Sequence, residues 1–203
     1  PPTQRKMEGK LTTRALKGFL SVLHSEELFQ QEIEKMAKHL KSAEELSSFR
    51  SQVLGLLLHE SVKTGNLDQL KRLVDVFSAP LDYRLPARAN RFQSEAEPQN
   101  QKGLSLLESA VLAPVRVAPD CVKFLATNEI FTEEDKKNAV TLSVTGARSQ
   151  FLAVLIESGI PVNFNCDDHQ NSPLLLAALR SDGKSMELLI KGGANVLHVS
   201  ESG

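Results

Sequence analysis

The stretch NSPLLLAALRSDGKSMELLIKGGANV, from Asn171 to Val196, decides the fold of this chain. Ser172 precedes Pro173, a typical helix start, because the serine oxygen can cap the first turn and proline needs no N–H there. The segment SDG then predicts a turn, a second apolar segment follows, and Gly193 can adopt the left-handed conformation that stops a helix. Ala177 and Ala178 are small enough for a second helix to approach closely, so both are expected at helix contacts. The stretch therefore predicts one helix-turn-helix unit.

Parts of this pattern recur about 34 residues earlier, and less regularly twice more. The nearest match joins residues 138–144 to residues 154–163. A weaker one runs over residues 103–125, and the most divergent one begins near His59 and turns at residues 63–68. A unit of this size cannot bury its apolar face alone, so its recurrence predicts stacked helix pairs.

These residues resemble the ankyrin pattern T-P-L-H-x-A-A, L-L-L, G-A-D-V: in the best unit they are Ser172-Pro173-Leu174, Ala177-Ala178, Leu188-Leu189-Ile190 and Gly193-Ala194-Asn195-Val196. The resemblance implies an all-α, ankyrin-repeat α-solenoid of about four helix-turn-helix units with a helical N-terminal cap. It divides the chain into a cap at 1–51 and an array at 52–203, with units at about 52–83, 103–131, 132–166 and 167–203.

The residues before the array carry helical patterns of their own. Apolar residues recur at helical spacing from Leu11 to His24, and Ser25 is placed to cap a second helix. Ser42 followed by Glu45 is typical of a capping box, so a third helix should lead directly into the repeats.

Two segments depart from the repeat pattern. Residues 84–102 are rich in proline and polar side chains, which predicts a long mobile loop. Arg84, Arg88 and Arg91 in that loop could meet an acidic surface or phosphate, but nearby glutamates favour a solvated mixed-charge loop. At Thr132 the sequence instead predicts a helix start, with no hairpin before it.

Charge and composition narrow the classes of function. The 203 residues include 24 Lys and Arg against 25 Asp and Glu, a net charge of -1, which gives no overall field for nucleic acid or an anionic membrane. The sequence shows no membrane-spanning run and no signal-peptide core. The spacing of Cys121 and Cys166 suggests neither a disulfide framework nor a zinc site. A reducing compartment, the cytoplasm or the nucleus, is therefore the expected location. The Pro-Pro start and the last residues, placed at a connector, suggest a segment of a longer protein.

No residue pattern predicts catalysis or a cofactor. His59 stands where the resemblance implies a structural hydrogen bond to a connector, and no nucleophile or carboxylate pair accompanies it. Cys166 with the run 167–169 cannot easily close a tetrahedral metal shell, since all four residues lie on one loop. Gly192 and Gly193 have neither the spacing nor the preceding strand of a phosphate loop. We therefore expect no enzyme, no metal and no small-molecule substrate.

A stacked array leaves an extended concave surface, so the expected partner is a protein or a peptide. The contact positions that the resemblance implies are Lys63, Thr64, Gln101, Lys102, Leu112, Ala113, Glu134, Asp135, Lys137, Thr145, Gly146, Asp168, His169, Asn171, Leu179 and Arg180. Acidic residues recur at the connectors, which favours a basic partner segment. Leu112 and Leu179 could each anchor an apolar side chain or be buried against a neighbour.

Two other interpretations stay open. The segment could regulate or target a larger enzyme or effector whose catalytic domain lies outside residues 1–203. Alternatively, the N-terminal helices could fold across the groove and make the segment purely architectural.

Overall fold

The computed structural model describes residues 13–38, 40, 42–85, 103–113 and 119–201. In these ranges the regular structure is helical, apart from one isolated antiparallel bridge between Leu85 and Leu104. The all-α prediction is confirmed. The described ranges contain ten helices, with the bounds α1 Thr13–Val22, α2 Glu26–Met36, α3 Ala43–Thr64, α4 Leu67–Asp75, α5 Leu106–Leu112, α6 Pro119–Ala126, α7 Glu133–Thr145, α8 Ser149–Glu157, α9 Pro173–Leu179 and α10 Gly183–Lys191.

The first two helices pack against the start of the stack. As predicted, Ser25 caps α2 and Ser42 caps α3, each accepting a hydrogen bond from a backbone N–H of the first turn. Three aromatic rings join this region to the end of α4: the Phe29 centroid lies 5.5 Å from that of Phe19 and 4.9 Å from that of Phe77. Edge and tilted ring contacts of this kind add to the free energy gained by burial.

Arg72 on α4 also holds the first helix in place. Its Nε donates to the Leu23 carbonyl at 2.6 Å, and its Nη2 donates to the His24 carbonyl at 2.7 Å. Carbonyl groups at a helix C-terminus lack partners within the helix, and they carry partial negative charge. The guanidinium therefore satisfies the end of α1 from a different part of the chain.

The remaining helices form four pairs in two rows. The pairs are α3 with α4, α5 with α6, α7 with α8, and α9 with α10. First helices contact first helices along the row α3, α5, α7, α9, and second helices contact second helices along α4, α6, α8, α10. The buried side chains between the rows form one continuous core from Phe19 to Leu189.

Equivalent turns in successive pairs repeat the same backbone conformation. The turn between α7 and α8 places Ala147 at φ 51°, and the turn between α9 and α10 places Ser181 at φ 55°. After the second helix, Gly159 and Gly193 take φ 80° and 86°. The predicted left-handed stop at Gly193 is confirmed. Ser181, however, is the left-handed residue of the SDG turn.

Helix caps explain why each pair begins where it does. Ser172 caps α9 with Pro173 at its start, as predicted, and Thr132 caps α7 in a reciprocal capping box with Asp135. Asp182 caps α10, so that Gly183 is the first residue of that helix instead of part of the turn. A glycine at this position is tolerated because the aspartate satisfies the exposed N–H groups.

One packing expectation is wrong. The sequence suggested that Ala177 and Ala178 both lie at close helix contacts. Ala177 is fully buried, but Ala178 is exposed. A short helix buries one stripe of its surface, and these two adjacent residues point about 100° apart on it.

The predicted boundaries are only partly within the described residues. Helix α3 runs without interruption across position 52, where we separated the cap from the array. Residues 86–102 of the predicted loop lie outside the described residues, whereas Arg84 and Leu85 at its start lie inside them. The division into domains therefore stays a prediction.

Candidate functional site

Four predicted contact positions occupy equivalent places at the ends of the first helices. Lys63 lies near the end of α3, Leu112 ends α5, Thr145 ends α7 and Leu179 ends α9. Because first helices stack on first helices, these residues form a row across the pairs. Lys63 is exposed, and Leu112 and Thr145 are half-buried. The row thus begins with a cation and ends with an apolar side chain.

Leu179 is the most exposed member of that row. Its side chain is 71% exposed, although leucine normally lies inside a protein. Arg180 follows it as the C-cap residue and is exposed as well. An exposed leucine beside a cation is suited to contact a partner through both apolar and charged groups.

The connector between α8 and α9 is a compact turn with an acidic tip. The Cys166 N–H donates to the Asn171 carbonyl at 2.8 Å, and the Asp167 side chain accepts from the Asn171 backbone and side-chain N–H groups, both at 2.9 Å. Partial desolvation acts to raise the pKa of Asp167, but the hydrogen bonds from Asn171 and the nearby His169 outweigh it and hold the pKa below its ordinary value. The exposed tip therefore carries a firmly ionised carboxylate.

The adjacent tip residues lie where the sequence placed them. Asp168 and His169 are exposed. Asn171 is half-buried, and its backbone and side-chain N–H groups donate to Asp167. The segment after α10 packs beside this tip: His198 Nε2 donates to the Gln170 carbonyl at 2.7 Å, and Gln170 Nε2 donates to a Glu201 oxygen at 2.8 Å. These contacts fix the tip and add Glu201 as a third acidic residue beside Asp167 and Asp168.

Asp135 is not available to a partner, which corrects its place among the contact residues. It is 4% exposed, its carboxylate accepts from the Thr132 N–H and hydroxyl, and Arg84 Nη2 donates to it at 2.6 Å. The side chain caps α7 and anchors residue 84. An aspartate at the third position of a helix can either complete a capping box or contact a partner. Here Asp135 completes the capping box and pairs with Arg84, so its carboxylate is not open to a partner.

Two further contact positions differ from expectation. Ala113 is 3% exposed, and its carbonyl and that of Val111 accept hydrogen bonds from Arg148 Nη1, with 2.7 Å to Val111. Ala113 is thus buried where a neighbouring pair caps α5. Lys137 is half-buried, with its Nζ 5.8 Å from the centre of the Phe164 ring, so its charge already faces an aromatic face.

The other predicted contact residues lie at helix ends or outside the described residues. Thr64 is exposed, but its hydroxyl donates to the carbonyls of the preceding turn. Gly146 and Glu134 are exposed at the ends of α7. Gln101 and Lys102 lie outside the described residues. The set as a whole therefore stays a prediction, without Asp135 and Ala113.

His59 has the structural role that was expected of it. Its Nε2 lies 3.3 Å from the Tyr83 carbonyl, which can only accept, so Nε2 carries the proton and Nδ1 accepts from Ser109 at 2.8 Å. Burial lowers the pKa of His59 to about 4, with the Tyr83 bond acting to raise it and Lys63 to lower it further. The ring is neutral at physiological pH and links α3, α5 and the segment before Leu85.

The cysteines are not activated nucleophiles. Burial raises the pKa of the Cys121 thiol, with Asp120 adding to the effect. Burial likewise raises the pKa of Cys166 to about 11, with a hydrogen bond from Thr141 acting to lower it and Asp167 to raise it. Both thiols are protonated at neutral pH, and only the thiolate attacks or binds metal.

Neither a metal-binding group nor a membrane-spanning helix is found in the described part of the chain. Its ranges contain no group of three or more His, Cys, Asp or Glu that could hold a metal ion. Over the same ranges, no helix combines the length and apolarity that crossing a bilayer requires. What the residues bring together is a surface, with an apolar row end at Leu179 and acidic connector tips.

Sequence reasoning missed one conspicuous group of residues. Ile190, Val196, Leu197 and Val199 are exposed by between 50% and 82% on the last pair. Their exposure could not be predicted from residue type, because valine, leucine and isoleucine side chains are buried in earlier units. Only their exposure in the folded chain identifies them, at a place where no further helix follows α10 within the described residues.

Comparison of the chain with protein-family models and with curated proteins found no match.

Proposed function

We propose that this chain is an ankyrin-type α-solenoid that binds a protein or peptide partner along the ends of its first helices and its connector tips. The recurring helix pairs, the repeated turn conformations and the ankyrin-like residues support this assignment. The observation that carries the binding role is Leu179, which is 71% exposed at the end of a row whose two preceding members, Leu112 and Thr145, are half-buried. A side chain of that kind is a hot-spot candidate.

The charges of the tips favour a basic segment in the partner. Asp168 and Glu133 are exposed, and Glu201 lies next to the tip that carries Asp168. Partner charge of opposite sign would accelerate encounter, whereas the apolar anchor would control the lifetime of the complex. The two free thiols at Cys121 and Cys166 support a reducing, cytoplasmic or nuclear location.

A peptide-display selection on the immobilised protein tests this function. The proposal expects enriched peptides that combine lysine or arginine with one large apolar side chain. Asp168→Lys together with Glu133→Lys should slow their association and flatten its salt dependence. Leu179→Ala should mainly speed dissociation, by about tenfold for a loss of roughly 1.4 kcal/mol.

Asp75→Lys is the matched control, because Asp75 is also exposed but ends α4, away from the connector tips. It should leave association and its salt dependence unchanged. The proposal fails if no peptide class is enriched, or if the enriched peptides bind all variants with the kinetics of the unmodified protein.

A further inference from the structure

The turn after Leu179 carries two cations beside that exposed leucine. Arg180 is the C-cap residue of α9, Lys184 lies in the first turn of α10, and both are exposed. Asp182, between them in sequence, is half-buried, and its carboxylate accepts from the Ser185 N–H and hydroxyl. The turn therefore presents its cations to solvent, while its own carboxylate is engaged in capping α10.

This basic turn lies at the opposite end of α9 from the acidic connector tip. Asp167 and Asp168 precede α9 and are exposed, and Glu201 lies beside them. The seven residues of α9 span roughly 10 Å, at about 1.5 Å per residue. The surface of the last pair thus changes from acidic to basic across one short helix, with Leu179 at the basic end.

The equivalent turn of the preceding pair presents no such cations. Gly146 and Gln150 stand there in place of Arg180 and Lys184. Arg148 in that turn is half-buried, and its guanidinium donates to carbonyl groups at the end of α5. The exposed positive charge is therefore a feature of the last turn, and the helix-turn-helix unit does not require it.

Charges of opposite sign at a fixed separation select a partner with matching charges. An extended peptide rises about 3.3 Å per residue, so roughly three to five residues cover the distance from the tip to the turn. A basic side chain that meets Asp168 then lies that many residues from the apolar side chain that meets Leu179. The position next to the apolar residue faces Arg180 and Lys184, where an acidic group is complementary.

We propose that the partner segment is dipolar, with a basic residue for the acidic tip and an aspartate or glutamate for Arg180 and Lys184. The acidic residue lies next to the apolar residue that contacts Leu179, and the basic residue lies about three to five positions from that apolar residue. This inference rests on the proposed binding function and specifies the chemistry of the segment that binds.

Selection from a random peptide-display library on two forms of the protein tests the acidic position. Peptides selected on the unmodified protein should carry aspartate or glutamate within two residues of the apolar anchor. The double variant Arg180→Glu, Lys184→Glu should instead select lysine or arginine there, because like charges repel. A selected acidic peptide should bind the double variant about tenfold more weakly, and replacing its acidic residue with lysine should restore the affinity.

Lys123→Glu is the matched control, because Lys123 is exposed on α6, in the row of second helices. It should select the same peptides as the unmodified protein. Basic and apolar peptides without an acidic preference, or the same preference on the double variant, would overturn the dipolar segment and leave the proposed function standing. If no peptide class is enriched on the unmodified protein, the proposed function fails and this inference fails with it.

Discussion

The third and last helix pairs have the same secondary structure but very different burial. Val144 near the end of α7 is fully buried, whereas Ala178, its equivalent on α9, is exposed. Val162 after α8 is 4% exposed, whereas Val196 after α10 is 64% exposed. The turn conformations and the left-handed glycines match in the two pairs, so the turns cannot explain the difference in burial.

This contrast shows that position in the stack determines burial and hence stability. An interior pair has neighbours on both sides, and packing against both of them buries the apolar residues at its connectors and helix ends. The last pair has a neighbour on one side only, within the described residues. Repeat arrays are stabilised by each unit together with its interfaces, and among the described residues the last pair makes one interface fewer.

The largest expected effect separates the two pairs directly. Phe151→Ala in α8 should lower the free energy of unfolding by about 3–5 kcal/mol, because the ring is 1% exposed and leaves a cavity. Leu197→Ala should change it by less than about 0.5 kcal/mol. Denaturant unfolding at low protein concentration measures both. Similar losses in the two variants would contradict the contrast between the pairs.

The buried histidine makes the contacts of the first helix pairs depend on pH. The pKa of His59 is about 4 in the folded protein, against the ordinary value of 6.5 in the unfolded chain. The unfolded state therefore binds the proton more readily, so the free energy of unfolding decreases as the pH falls from 6.5 towards 4. The expected slope is on the order of 1 kcal/mol per pH unit. His59→Gln should flatten this slope in denaturant titrations, and His169→Gln at the exposed tip should preserve it. An unchanged slope in the first variant would argue against a neutral, buried ring.

Neighbouring alanines on α9 sharpen the comparison within a single helix. Ala177→Phe should cost roughly 1–3 kcal/mol of stability through overpacking, since Ala177 is fully buried against the α7 row. Ala178→Phe should cost less than about 0.5 kcal/mol, because Ala178 faces the open side. Thermal and denaturant unfolding of the two variants distinguishes them. Equal destabilisation would mean that the open side is packed in solution.

The smallest effect concerns the cap of the last helix. Asp182→Ala should destabilise the protein by about 1 kcal/mol, because its carboxylate accepts from the Ser185 N–H and hydroxyl at 3.1 and 2.6 Å. These hydrogen bonds hold the pKa of Asp182 below its ordinary value, so the stabilisation is present at neutral pH and is lost on acidification. Hydrogen exchange in α10 reports it locally. Unaltered protection of α10 at neutral pH would show that the cap contributes nothing.

Much of the candidate site could be located from the sequence, but its accessibility could not. The exposure of Leu179, Asp168 and His169 agrees with the contact positions that the ankyrin resemblance implied. Asp135 fits the same pattern, yet Arg84 reaches it from 51 residues away and takes it out of solvent. Local periodicity contains no information about a contact across that separation.

What the sequence determined by itself is local. Ser172, Pro173 and Thr132 set helix starts, and Gly193 sets a helix end, because these preferences act within one turn of backbone. Which apolar residues remain exposed to solvent depends on the tertiary structure. Val162 and Val196 have the same side chain and the same place in their repeats, and only the presence of a neighbouring pair distinguishes them, because burial depends on what packs from outside.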